Sequence, residues 1–172
     1  MIFDAFEAMV FYSAYHQNKI NQYCHIVCVP LIWLTAVSFL TMSIDYPVQW
    51  IIYCIYIVVY LTLEPLALVL FLPVFHLLTM GGVALPHYLP FIGIFALHAF
   101  AWIAQIYTHQ VYEKRAPALI DNIVQALVMA PFFVWLEVLF MFNYRPALRK
   151  ELQVAAAKKI SQMNKEKQAK TK

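Results

Sequence analysis

The sequence predicts an all-α fold: an integral membrane helical bundle of about four transmembrane helices plus a re-entrant or interfacial helix pair. Three observations predict it. Apolar residues make up 63% of the 172 positions and charged residues only 12%, far from the usage of a soluble domain. No Lys or Arg lies between Lys19 and Lys114, and the only acids between residues 20 and 112 are Asp45 and Glu64. A chain in water needs charge to cover its surface, and lipid removes that need. The apolar runs are also cut by Pro, Gly and Asp into pieces of membrane-crossing length.

The elements follow in order. Residues 1–24 mix Phe3, Phe6, Met9, Val10 and Tyr12 with polar side chains, the pattern of a short amphipathic helix on the membrane or packed on the bundle. Residues 26–44 form a first span, and Asp45, Tyr46 and Pro47 turn the chain. Residues 48–80 are too long for one ordinary crossing. Glu64–Pro65 divides them, since proline removes a donor and disfavours helix before it; two spans result, 48–63 and 65–80. Gly81, Gly82 and Pro86 mark a loop, and 89–112 is the next span. Pro117 opens a helix at 118. Pro131 is expected to break it, leaving 132–143 as a second short piece before Arg145–Pro146.

Nine of the twelve basic residues lie in the last 28 positions, from Arg145 onward. This divides the chain into a membrane-embedded domain, 1–146, and a basic cytosolic tail, 147–172, helical to about residue 164. A polybasic tail beside a membrane belongs on the cytosolic side; with few aromatics to stack on bases, it does not read as a nucleic-acid surface. Four crossings before Lys114–Arg115, and a non-crossing 118–143, put both basic regions on one side. Asp4 and Glu7 stand where a signal peptide would be positive, so insertion is expected to rest on the internal spans. Cys24, Cys28 and Cys54 read as small buried hydrophobes, too few for a zinc site or a disulfide framework.

Polar groups at membrane depth are functional candidates. On the span 89–112, His98, Trp102, Gln105, His109 and Glu113 fall at offsets of 0, 4, 7, 11 and 15, within about 80° of one another on a helix. This stripe must face the bundle interior or a wet cavity, where it serves chemistry or holds helices together. Lys114 and Arg115 follow it, suited either to a carboxylate or to lipid headgroups. A second concentration comprises Tyr15, His16, Asn18, Asn21 and His25. His16 and His25 are nine apart, roughly opposite on a continuous helix, so they meet at one ion only if the chain bends between them or if they lie either side of a metal layer. Glu137, in an apolar run, needs a partner or a proton, as a metal ligand, an acceptor for a histidine N–H or half of an ion pair. Glu64 reads as a cap or as a group near an interface, and His76 and His87 as interfacial.

These strings together resemble a family. Tyr15-His-Gln-Asn-Lys-Ile-Asn-Gln-Tyr-Cys-His25 with Val29–Pro30, then Trp102-Ile-Ala-Gln105, then His109-Gln-Val-Tyr-Glu-Lys-Arg-Ala-Pro117-Ala-Leu-Ile-Asp-Asn, then Ala130–Pro131 and Glu137, are similar to the signature of the yeast-type 2-hydroxy fatty acid dioxygenases, small multi-span membrane proteins of fatty acid α-oxidation and phytosphingosine degradation. The resemblance covers roughly residues 10–145. Thr108 stands where the family usually has glycine, and His98 is outside the pattern. The resemblance implies an Fe(2+)-dependent oxidoreductase of the endoplasmic reticulum membrane (or a bacterial inner membrane) that uses O2 to shorten a 2-hydroxy fatty acid by one carbon. It implies His16, His25 and His109 as metal ligands, with Glu113 as a further catalytic group. Lys114, Arg115 and Asn21 would contact substrate, and Gln105 and Glu137 would orient ligands.

Other classes remain open on the residues alone. A haem b protein would take one histidine from each of two helices, and a non-catalytic lipid-binding or scaffold protein would use the stripe as packing glue. A diiron desaturase is disfavoured, because no two histidines are three or four apart.

Overall fold

The computed structural model describes residues 4–44, 47–114 and 123–170. Among these the chain is helical, with no strand. In order come α1 (Ala5–Ala14), α2 (Lys19–Ser43), α3 (Val48–Leu63), α4 (Pro65–Ala84), a 3₁₀ turn (Leu85–His87), α5 (Phe91–Thr108), a π-helical segment (His109–Glu113), α6 (Ile123–Met141) and α7 (Pro146–Lys170). Lys19–Ser43, Pro65–His87 and Phe91–Glu113 are long and apolar enough to cross a membrane. The α3 helix is apolar but has 16 residues, about 24 Å, short of a hydrocarbon core of roughly 30 Å.

The N-terminal region is two helices meeting at a corner, not one helix to residue 24. Asp4 caps α1, its Oδ1 accepting from the N–H groups of Phe6 (2.9 Å) and Glu7 (3.1 Å). The helix ends at Ala14, and Asn18 caps α2 by accepting from the Ile20 N–H at 2.9 Å. The first span therefore begins seven residues earlier than its apolar run suggests.

α2 is the central helix and packs against α3, α4, α5 and α6. Gly81 and Gly82 lie inside α4, not in a loop. A Cβ on Gly82 would stand 2.6 Å from the Leu34 carbonyl oxygen and 2.7 Å from Val37 Cβ, so glycine there serves close approach of α4 to α2. Ser38 Oγ donates to the Gly82 carbonyl at 2.8 Å, and Trp33 Nε1 donates to Thr79 Oγ1 at 3.0 Å. The core between α3, α4 and α6 is aromatic: Tyr60 stacks on Phe132 with centroids 4.6 Å apart, and Phe71 on Phe75 at 5.0 Å.

Pro131 does not break its helix either; the segment expected as two pieces is continuous through Pro131. Proline leaves the carbonyl four residues back without its helical donor. That carbonyl belongs to Leu127 and lies 3.4 Å from the Tyr56 hydroxyl, while the Tyr60 hydroxyl donates to Val128 O at 2.8 Å. The two tyrosines of α3 thus supply donors where α6 lost one. The helix starting at 118 falls, with Pro117, outside the described residues, as do Asp45 and Tyr46 of the first turn.

Glu64 precedes α4 but its side chain makes no capping bond to it; it forms an ion pair with Arg145, and the Tyr144 hydroxyl donates to it at 3.2 Å. This joins the α3–α4 corner to the α6–α7 corner. The α7 helix runs past residue 164 to Lys170 and packs on α1, burying Leu152 and Ala156, with Lys159 Nζ 5.7 Å from the centre of the Phe11 ring. The three cysteines are free, with Cys24 and Cys28 Sγ atoms 3.8 Å apart.

Candidate metal centre

The corner between α1 and α2 brings His16 and His25 together. His16 lies in the non-helical turn and His25 on α2, and both are buried. The end of α5 adds His109, also buried. The three rings are nearly equidistant, with centroids 4.5 Å (His16–His25), 4.9 Å (His16–His109) and 4.9 Å (His25–His109) apart. Their ligand-capable nitrogens all lie within 4.8 Å of one another.

Two of the rings are fixed in one tautomer. His16 Nδ1–H donates to the Tyr12 carbonyl and His25 Nδ1–H to the Asn21 carbonyl, each at 2.9 Å and one helical turn back. Each Nε2 then carries its lone pair inward, as in metal-bound histidines whose other nitrogen donates to a carbonyl. His16 Nε2 and His109 Nδ1 are buried without a hydrogen-bond partner. Burial, with His25 and His109 nearby, holds the His16 imidazole well below its ordinary pKa, so it stays neutral. Three clustered imidazoles, two of them with buried unpartnered nitrogens, are a donor set for a transition metal. With metal–nitrogen distances of about 2 Å, a small contraction lets all three reach one ion. The residues fit a metal.

Asn21 and Glu113 hold this arrangement. Glu113 Oε1 accepts from the Asn18 N–H at 2.7 Å and from Asn21 Nδ2 at 3.1 Å. Its carboxylate sits at the N-terminus of α2, where a negative charge meets the helix dipole. The π segment allows this. The Lys114 N–H reaches back five residues to the His109 carbonyl, and the widened turn takes Glu113 off the stripe expected for a regular helix. Asn21 is fully buried, and its Oδ1 accepts from Thr108 Oγ1 at 2.7 Å. With both side-chain groups bonded and its carbonyl on His25, Asn21 ties the start of α2 to the end of α5 and does not itself line the cavity.

The remaining expected residues scatter. Gln105 is buried, lines the cavity beside His109, and its Nε2 donates to Ala101 O at 3.3 Å. Lys114 is exposed in a left-handed conformation (φ 53°) and does not line the cavity; Arg115 falls outside the described residues. Glu137 lines a separate polar cleft with Lys19 and Arg149 and makes no hydrogen bond to the histidines among the described contacts. His98 accepts from Trp102 Nε1 at 2.9 Å and meets Thr35 Oγ1 at 2.8 Å, joining α5 to α2 rather than entering the triad.

Two site residues escaped sequence reasoning. Tyr12 stacks on His16, centroids 4.0 Å apart, and burial keeps its phenol protonated; its spacing of four before His16 was a signal. Thr108 anchors Asn21, and its departure from the usual glycine was another.

A cavity of about 490 Å³ opens at the triad, within the range of small-molecule sites. His16, His25, His109, Gln105 and Gln110 give its polar end, and apolar side chains of α2, α3, α5 and α6 form most of the rest.

No solved structure matches the chain. A model of the Mpo1-like family, described as 2-hydroxy-palmitic acid dioxygenase Mpo1-like, matches residues 3–142. The 2-hydroxy-palmitic acid dioxygenase MPO1 of Saccharomyces cerevisiae is 35% identical over 150 residues, 83% of this chain and 84% of that protein. The family match takes in the corner, α2, α5 and the π segment, every element that builds the triad, and α6 besides, and on it the chain belongs to the Mpo1-like family.

Proposed function

We propose that this protein is an iron(II)-dependent membrane dioxygenase that shortens long-chain 2-hydroxy fatty acids by one carbon. The observation that carries the reading is the buried histidine triad at the polar end of an apolar cavity. The name of the yeast relative supports it. One O2 and one 2-hydroxy acid give the acid one carbon shorter, carbon dioxide and water. Atoms balance without an added reductant.

Imidazole suits ferrous iron, and an ion held by His16, His25 and His109 would supply oxygen binding and activation. The rest falls to the protein. Tyr12 and Asn21 hold the His16 and His25 rings through their carbonyls, and Glu113 and Thr108 hold Asn21. Gln105 offers an amide where the carboxyl end would lie, and the apolar walls take the alkyl chain and exclude water. Lys114 and Arg115 are candidates for the carboxylate during entry. The setting we propose is the endoplasmic reticulum membrane with the basic tail in the cytosol, as the positive-inside rule favours.

The test joins metal analysis of the purified protein to a product assay with a 2-hydroxy fatty acid under oxygen. Iron and the shortened acid are expected together, and alanine at His16, His25 or His109 should abolish both. Variants that keep iron and turnover would refute the reading, as would a Soret band in the wild-type spectrum.

A further inference from the structure

The cavity extends well beyond the triad. Its wall on α2 is a stripe at helical spacing, Val29, Ile32, Ala36 and Leu40, running away from His25. The α3 helix runs back after the next turn and adds Gln49, Ile52 and Tyr56. Polar side chains gather at the triad end and the stretch between is apolar. Gln49, at the far end, is 8% exposed, and its Oε1 is buried without a hydrogen-bond partner.

Such a trough measures length. Leu40 lies fifteen residues beyond His25, about 22 Å along the helix axis. An extended alkyl chain advances about 1.25 Å per carbon, from bonds of about 1.5 Å at near-tetrahedral angles, so the trough takes roughly 17 carbons. Ala36, eleven residues beyond His25, stands about 16 Å along, beside roughly the thirteenth carbon. Its methyl group leaves room where Leu or Trp would not.

We infer that α2 and α3 form an acyl ruler, with Ala36 as the permissive position and Leu40 and Gln49 as the end wall that sets the longest chain accepted. The inference rests on the proposed lipid substrate. An unpartnered amide oxygen makes the end wall poor company for further methylenes, so chains beyond roughly 17 carbons lose ground.

Wild-type protein, Ala36→Trp and Leu40→Trp are compared on saturated 2-hydroxy fatty acids from about ten to about twenty-four carbons, by turnover and by ligand-induced thermal shift. In the wild type both readouts are expected to fall about tenfold beyond roughly 17 carbons. In Leu40→Trp the fall moves to about 15 carbons and in Ala36→Trp to about 12, so the long-to-short ratio drops in that order. Identical profiles in the three proteins would overturn the ruler. So would an equal loss at every length in a variant that melts like the wild type. If Ala36→Trp does not fold, Leu40→Trp decides alone, by a shortened or an unchanged profile. If the wild type turns over no 2-hydroxy acid, the functional reading fails, and the thermal shifts still decide the ruler.

Discussion

Replacing Glu113 by glutamine and by alanine separates a carboxylate that holds the site from one that binds the ion. Glu113 Oε1 accepts two hydrogen bonds, from the Asn18 N–H (2.7 Å) and from Asn21 Nδ2 (3.1 Å). A hydrogen bond to a charged group contributes about 1.5–3 kcal/mol. The two bonds share one acceptor and neighbouring donors, so their losses do not add fully, and the Asn18 N–H can turn to water. Glu113→Ala is therefore expected to cost about 2–4 kcal/mol. Glutamine keeps an acceptor oxygen in place and gives up charge and its interaction with the helix dipole, a loss of about 1 kcal/mol. Denaturant or thermal melting in detergent reads the stabilities, and metal analysis reads the site. Because Asn21 carries the carbonyl that orients His25, Glu113→Ala should also weaken metal binding about 10- to 100-fold, the usual effect of losing an outer partner. Glutamine should retain most of the metal. If Glu113→Gln melts like the wild type and holds no metal, Glu113 is a direct ligand, and the capping role argued from these distances is wrong.

Three further outcomes are expected. Alanine at His25 should remove the metal while costing less stability than Glu113→Ala, because its Nδ1–H bond is local to α2; melting and metal content checked together would show this. Gly82→Leu should prevent α4 from seating on α2, since even a Cβ meets the Leu34 carbonyl oxygen at 2.6 Å; loss of cooperative melting is expected, and a wild-type melt would show that the helices part easily. The metal-free protein should lose stability as pH falls below about 6.5, the ordinary histidine value. Burial keeps folded His16 well below it, so only the unfolded chain takes up the proton there; a flat melting temperature between pH 7 and 5 would contradict this.

Much of the fold is written in the order of apolar runs and prolines. The corner at Glu64–Pro65 and the bounds of α3 are legible because proline and the residue before it leave few alternatives. Gly81–Gly82 and Pro131 mislead for one reason: each is a local helix-breaking signal that a distant partner overrides. Leu34 and Val37 make glycine an asset in α4, and Tyr56 and Tyr60 make proline tolerable in α6. The triad is half legible. Spacing alone sets His16 and His25 on opposite sides of a helix, and only the corner that ends α1 at Ala14 turns nine residues of separation into a 4.5 Å ring contact. The stripe on α5 leads to Gln105 and His109 on the cavity wall. It fails at Glu113, because the turn after Thr108 widens from α to π, which residue spacing does not encode.

The four-residue corner between α1 and α2 has a mechanical consequence. His16 is tied to α1 by its bond to Tyr12, His25 is tied to α2, and His109 ends α5. One ion gripped by all three would act as a rivet through three helices, added to the packing that already joins α2 to α5. The α1 helix also packs against the long basic α7. Filling the site would therefore be felt through α1 by α7, and the charged end of the molecule would register whether its centre is loaded.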